Sequence, residues 1–417
     1  MSLDPTTRII RAGLNSDSQH KGVMPPIAIS SNYRREDPAE QGAFDYQRTD
    51  HPGRRHLAEA IADLEGAAAA LITCSGMAAI DLLLHDLPQG ARVVCAHDAY
   101  GGTFRLLEAR ARGGRLAVDF VDLTDLEAAA EALSRPADLV MAETPSNPRL
   151  RLTDIPAIAR LAHAAGAKLS VDNTALSPAL QRPIELGADY SVQSVTKIIN
   201  GHSDMIGGAV AIADPEDVER LAWWLNCAGV GAGPFDSFLA LRGLRTLPLR
   251  AKAQSEAALE IASWLTRHPA VTHVDYPGLP DHPGHEIAVR QQSGFGPLIS
   301  FSVDGDPRAL AASLELFTLA QSMGGVESLV CIPALMTHAA MSPQARARAG
   351  IGDGLVRLAV GLEAVGDLIG DLDRGLKLCR VEQDQRLDHG ADATVTDIGE
   401  AELLHQGQAR RAVAAQA

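Results

Sequence analysis

The chain has 417 residues, 46% of them hydrophobic and 21% charged, with a formal charge of −15 at pH 7. That length buries a sizeable core and predicts a soluble globular protein of two or three domains. The acidic balance argues against nucleic acid or an anionic membrane surface as the main partner, while leaving room for a local cationic pocket.

Met1 to Leu14 carries no apolar signal-peptide core, and no stretch is long and apolar enough to span a bilayer, so a cytoplasmic protein is expected. Cys74, Cys95, Cys227, Cys331 and Cys379 lie far apart with no CxxC pair, which fits a reducing compartment. The apolar runs around Cys74 and Cys95 predict that both are buried in the core. Residues 1–55 are polar and irregular, with Pro25-Pro26 and a Tyr/Arg-rich patch from Phe44 to Arg55. A segment this long without periodicity must pack on something, and a neighbouring subunit is one choice.

Residues 56–240 read as an α/β domain. His56–Glu65 has helical spacing, with Leu57, Ile61 and Leu64 on one face. Apolar strands then follow at Ala69–Cys74, Arg92–Ala96, Leu116–Val121, Leu139–Glu143, Lys168–Val171 and Tyr190–Val195. Helices at Ala78–His85, Leu126–Leu133 and Ile155–Ala165 separate them. Such alternation predicts a mostly parallel central sheet with helices on both faces. Residues 241–380 read as a smaller α+β domain, with a helix at Ser255–Thr266 and strands near Val271–Tyr276, Leu298–Val303 and Val356–Val360. The amphipathic helix Ala364–Cys379 closes it, and residues 381–417 read as a polar, flexible tail.

In a parallel sheet ligands gather at the carboxyl ends of strands. After Ala69–Cys74 comes Ser75-Gly76-Met77 ahead of a helix, a site for an anion or a plain N-cap. After Leu139–Glu143, two prolines fix Thr144-Pro145-Ser146-Asn147-Pro148, where Asn147 is able to reach a phenolic or carbonyl oxygen, or merely stands in a βα turn. Asp172 is placed to pair with a protonated ring nitrogen or to cap the next helix. Ser194-Val195-Thr196-Lys197 sets a lysine among hydroxyls between a buried strand and a glycine-rich turn, where a solvated lysine is rare. An anion cradle, a carboxylate and a hydroxyl-flanked lysine at successive strand ends are what a phosphorylated pyridine aldehyde needs.

These residues carry a resemblance. From about Ile9 to Leu378 the chain resembles the Cys/Met-metabolism enzymes dependent on pyridoxal 5'-phosphate (PLP), and among them most the proteobacterial cystathionine γ-synthases. The shared motifs are Asp45-Tyr46-Gln47-Arg48, Ser75-Gly76-Met77, Tyr100-Gly101-Gly102, Glu143-Thr144-Pro145-Ser146-Asn147-Pro148, Val171-Asp172-Asn173-Thr174 and Ser194-Val195-Thr196-Lys197. Further along stand Gly233-Pro234-Phe235-Asp236-Ser237, Leu241-Arg242-Gly243-Leu244-Arg245-Thr246-Leu247, Ser322-Met323-Gly324-Gly325-Val326-Glu327-Ser328 and Met336-Thr337-His338.

The resemblance implies the aspartate-aminotransferase-like fold, type I of the PLP-dependent transferases, in a homotetramer built as a dimer of dimers. It makes Lys197 the Schiff-base lysine and proton shuttle, aided by Tyr100, which also stacks on the ring. Asp172 would hold the ring nitrogen, Asn147 the phenolic oxygen, and Gly76, Met77, Ser194 and Thr196 the phosphate. Tyr46 and Arg48 would reach the phosphate from the neighbouring subunit. Arg357, Ser322 and Asn147 would hold the substrate α-carboxylate, a group that suits arginine's planar fork. Arg105 would meet a distal carboxylate such as a succinyl group, and Asp45 a distal ammonium.

The implied reaction is γ-replacement on an O-activated homoserine by a thiol such as cysteine, giving cystathionine. A γ-lyase, a γ-replacement with another nucleophile, and a silent PLP-binding relative are the alternatives. Three departures from the family pattern are expected to lie in or near the pocket. His51-Pro52-Gly53-Arg54 stands for Asn-Pro-Thr-Arg, Ile198 for an aromatic residue after the lysine, and Gln321 for a glutamate that would meet an ammonium.

Overall fold

The apolar runs become strands close to where the sequence predicts them. The computed structural model describes residues 3–390, apart from 41, 340 and 342. The larger sheet contains β1 (Ala69–Thr73), β2 (Ala91–Ala96), β3 (Leu116–Val121), β4 (Leu139–Glu143), β5 (Lys168–Asp172), β6 (Tyr190–Gln193) and β7 (Gly208–Ile212). Its seven strands run in the order β1-β7-β6-β5-β4-β2-β3. All neighbours from β6 across to β3 are parallel, whereas β7 is antiparallel to both β1 and β6.

β7 has no counterpart in the sequence expectations. It is short, opens on glycine and is rich in small residues, so its apolar run is weak. The glycine is required, because a Cβ on Gly208 would stand 2.2 Å from the Ser75 carbonyl oxygen. The alternation of the buried strands is plain within it: Val210 and Ile212 pack into one layer, Ala209 and Ala211 into the other. The sheet is therefore covered on both faces, as near-continuous apolar strands require.

A smaller sheet contains β8 (Val271–Asp275), β9 (Leu298–Val303), β10 (Thr318–Leu319), β11 (Leu329–Cys331) and β12 (Leu355–Ala359), in the order β10-β11-β12-β9-β8. Phe301, Ile299 and Leu358 from this sheet pack with Ile261 and Leu265 of the helix Leu247–Leu265, and with Leu368, Leu372 and Leu376 of the helix Val365–Gly390. That last helix corrects the expected tail, since residues 381–390 continue it. Val381-Glu382-Gln383-Asp384-Gln385-Arg386-Leu387 holds good helix formers and no proline. The remainder of the expected tail, 391–417, lies outside the described residues.

Cys95 is fully buried as expected, but Cys74 is exposed. It stands one residue past the end of β1, where its N–H donates to the Val230 carbonyl at 2.8 Å and the chain turns away from the core. No helix among the described residues is long and apolar enough to cross a membrane.

The helix Pro52–Glu65 packs under β1 and β7 and ends at Gly66 with φ 68°. Its last residue, Glu65, is wholly buried beneath β6, accepting from Ser191 Oγ and Gln193 Nε2, each at 2.7 Å. Glu65 Oε2 and Gln193 Oε1 have no partner, so acceptors stand where a donor is wanted. Burial raises the Glu65 carboxyl from its usual 4.5 to about 7, against the hydrogen bonds that favour its anion. A raised carboxyl stabilises the fold most at pH below 4.5, and that contribution is lost as pH rises through 7. The difference is about 3 kcal/mol. Glu65→Gln keeps the shape and supplies the donor, so the variant is expected to melt above the parent at pH 8, with the gap closing toward pH 5. Equal melting curves at both pH values would contradict this reading.

Candidate active site

The strand order reverses between β2 and β4: β2 leads outward to β3, and β4 leads the other way to β5. Such a reversal leaves a crevice at the carboxyl ends. The loops after β1, β2, β4, β5 and β6 meet over it, and the smaller sheet closes it from the far side. The cavity is about 400 Å³ and is lined by Gly76, Met77, Tyr100, Asn147, Asp172, Ser194, Thr196, Lys197, Gln321, Ser322 and Arg357, all of them singled out in the sequence. That size suits a small cofactor with its substrate.

At one end the helix Gly76–His85 points its N-terminus inward. Ser75 Oγ caps it by accepting from Ala78 N at 3.0 Å, so the N-cap reading of this turn is correct. The anion reading stands beside it, because Gly76 and Met77 line the cavity. A Cβ on Gly76 would lie 2.9 Å from Ser194 Cβ, so only glycine lets these two loops close together. Thr196 Oγ1 is fixed by Gly207, donating to its carbonyl at 3.2 Å and accepting from its N–H at 3.0 Å. β6 ends at Gln193, shorter than expected, which frees Ser194 to Lys197 to turn over the cavity.

At the floor, Asp172 Oδ1 accepts from Thr174 N at 3.0 Å, and burial raises its carboxyl. Lys197 Nζ donates to Ser322 Oγ at 2.7 Å. Burial first, and the charge of Arg357 second, lower the lysine's pKa and favour the neutral amine. Arg357 projects from β12, buried, with Nη1 donating to Asn147 Oδ1 at 2.7 Å and Nη2 to the Ser322 carbonyl at 2.9 Å. Its Nε is buried with no partner, a donor left for a ligand. Tyr100 lies against the backbone of Gly102, where a Cβ would meet its ring at 2.5 Å.

Other expected residues stand elsewhere. Asp45 pairs with Arg35 at 3.0 Å, and Arg48 Nη1 donates to the Asn226 carbonyl at 2.7 Å. Tyr46 is 47% exposed, and none of the three lines the cavity of its own chain. Arg105 does not line it either; its guanidinium folds back beside Gly101, as does the carbonyl of the cavity residue Thr337.

Two of the three family departures do not line the cavity of their own chain. His51 is fully buried, caps the helix Pro52–Glu65 through Nδ1 at 3.2 Å from Arg54 N, and sets Nε2 3.2 Å from the Ala232 carbonyl. Ile198 is buried under Gly324 rather than in the cavity. Gly53 is also buried, beside His51. Only Gln321 lines the pocket. Conversely, Glu143, Thr174, Ile206, Met323 and Thr337 line it without having been assigned a role. Glu143 stands in register with Asp172 at the ends of β4 and β5, a pairing that strand order reveals.

A helix N-terminus with hydroxyls at one end, a carboxylate on the floor, an amine and a half-free guanidinium fit pyridoxal phosphate and the α-carboxylate of an amino acid. Fold and site together define a fold type I enzyme dependent on pyridoxal phosphate. The chain belongs to the family described as Cys/Met metabolism PLP-dependent enzyme, which it matches over residues 6–377.

It is 47% identical to the cystathionine gamma-synthase of Escherichia coli K12 over 381 residues, covering 90% of this chain and 99% of that one. A Dictyostelium discoideum cystathionine gamma-lyase is 42% identical, over 89% of this chain and 97% of its own length. Among solved structures, the cystathionine gamma synthase of Xanthomonas oryzae pv. oryzae in complex with aminoacrylate and cysteine superposes with a TM-score of 0.90. Its sequence identity is 47%, covering 91% of this chain and 100% of that chain.

Proposed function

We propose that the protein carries out γ-replacement on an O-activated homoserine, with cysteine or a similar thiol as nucleophile and cystathionine as product. The observation that carries this reading is the meeting, in one cavity, of Lys197, Asp172 and the Asn147–Arg357 pair. The near full-length likeness to the Escherichia coli and Xanthomonas oryzae synthases supports it.

Gly76, Met77, Ser194 and Thr196 hold the cofactor's phosphate, and Asp172 its ring nitrogen. Tyr100 would stack on the ring, and Asn147 would meet the phenolic oxygen. Bound there, pyridoxal phosphate supplies an electron sink for the substrate's α-carbon. Arg357, with Asn147 and Ser322, fixes the substrate α-carboxylate. Lys197, which would carry the cofactor at rest, is the base placed to take the Cα proton, with Tyr100 beside it. It then relays protons while a Cβ proton is lost. The Cγ–O bond breaks with departure of the acyl carboxylate, the thiol gives up its proton as its sulfur bonds to Cγ, and protons are returned to Cβ and Cα to complete the product. The lowered pKa of Lys197 suits it to act as a base near neutral pH.

Arg105 at the rim suits a distal succinyl carboxylate, and Asp45 a distal ammonium. Tyr46 and Arg48, outside the cavity of their own chain, serve a neighbouring subunit's phosphate. This requires at least a dimer, and the reading places it in a homotetramer built as a dimer of dimers, in the cytoplasm. The uncovered side chains of Val23 and Ile29, 64% and 78% exposed in an irregular segment, support such packing.

Gln321 favours a second reading, as it offers no charge to an incoming ammonium. That reading is a γ-lyase, or a γ-replacement with another nucleophile in specialised metabolism. The test incubates PLP-loaded protein with O-succinyl- and O-acetylhomoserine, with and without cysteine, and identifies products by mass. Cystathionine is expected. Release of 2-oxobutyrate from cystathionine alone would move the assignment to the lyase. No turnover of any of these by loaded protein would leave a silent relative.

A further inference from the structure

We propose that Glu143 is a positioning residue: its carboxylate ties Tyr100 and Asn147, from the two loops flanking the reversal of strand order, into the spacing the cofactor seat needs. The inference rests on the proposed function above for the parts played by those two residues.

Glu143 ends β4 and lines the same cavity. Its Oε2 accepts from Tyr100 N at 2.6 Å and its Oε1 from Asn147 N at 3.1 Å. One side chain thus bridges the loop after β2 to the loop after β4. Tyr100 is the N-cap of the helix Gly101–Arg112 and has no capping hydrogen bond from its own side chain. The Glu143 carboxylate supplies the negative group which that helix end favours. On the other side the tether continues, because Asn147 Oδ1 holds Arg357.

The position is costly for a carboxylate. Glu143 stands opposite Asp172 in the β4–β5 register, both half-buried at the cavity. Burial first, and the Asp172 charge second, push the Glu143 carboxyl well above the usual carboxylate range. A glutamine would remove that repulsion at nearly equal volume. It would also present one acceptor where the structure has two N–H donors, and would turn its own NH2 toward one of them. Stability therefore favours the amide, whereas double acceptance requires the carboxylate. Those opposed demands separate positioning from a purely structural part.

The test compares parent, Glu143→Gln and Glu143→Asp proteins, each stripped of and reloaded with PLP. Stripped Glu143→Gln is expected to melt at or above the parent. Reloaded, it is expected to bind PLP roughly tenfold more weakly, the scale of one buried N–H left unpaired. Its circular dichroism in the visible PLP band should weaken, and KM for the amino-acid substrate should rise. Glu143→Asp keeps the charge but withdraws both oxygens by one methylene, and is expected to share the cofactor defects.

Unchanged PLP affinity and visible dichroism in Glu143→Gln would overturn the proposal, as would full rescue by aspartate. So would a Glu143→Gln protein that cannot fold while the aspartate variant binds PLP normally. A parent that binds no PLP at all would overturn the underlying functional reading, a different result from any of these.

Discussion

Lys197→Ala is expected to abolish turnover, with a loss on the order of 10³-fold or more in kcat, and to remove the visible absorbance of the covalently held cofactor. The chain has five lysines, Lys21, Lys168, Lys197, Lys252 and Lys377, and of these Lys197 alone lines the cavity. Lys168 begins β5, at the end opposite the site, and pairs with Asp217 at 3.1 Å. The side chains of Lys252 and Lys377 are 75% and 69% exposed. No other lysine is therefore placed to substitute.

The fold should survive the change, since it removes a buried amine whose ionised form is disfavoured by burial and by Arg357. Absorbance scans, steady-state kinetics and a melting curve on the same sample separate loss of chemistry from loss of fold. A Lys197→Ala protein that keeps the visible band, or a tenth of the parent's turnover, would contradict the assignment.

Arg357→Lys is expected to cost roughly 10²- to 10³-fold in kcat/KM, the scale of 2–5 kcal/mol for breaking a buried, hydrogen-bonded charge pair. Two of the guanidinium's nitrogens are committed to orienting it, one on Asn147 Oδ1 and one on the Ser322 carbonyl. The unpartnered Nε and the second N–H of each terminal nitrogen remain as donors for a carboxylate. A lysine ammonium is a point charge and cannot hold Asn147 and Ser322 while presenting a planar edge to the ligand. An α-carboxylate is present before and during reaction alike, so the larger change should fall in KM. Substrate kinetics with an amino acid and with its α-amide check this directly. The parent should reject the amide, and the variant should discriminate far less.

Strand ends were legible because buried parallel strands are written as unbroken apolar runs, and each break marks a loop at the mouth of the sheet. That is why Gly76, Asn147, Asp172 and Lys197 were readable from four separate places and do meet at one cavity. β7 was not readable, because Gly208–Ile212 is too small and short to stand out from the glycine-rich turn before it. Glu143 hid inside a proline-rich motif, and its link to Tyr100 depends on which strands are neighbours.

Adjacency in sequence also misled. Ile198 follows Lys197 directly, yet its side chain is buried under Gly324 while the lysine faces the cavity. His51 departs from the family pattern, yet its imidazole caps a helix. Both are absorbed by packing. Gln321 is the departure that reaches the pocket.

The most direct test of the central claim is to reduce PLP-loaded protein with borohydride, digest it and locate the phosphopyridoxyl group by mass spectrometry. The group is expected on the peptide bearing Lys197 and on no other. Its appearance on Lys21, Lys168, Lys252 or Lys377, or its absence from loaded protein, would contradict the site described here.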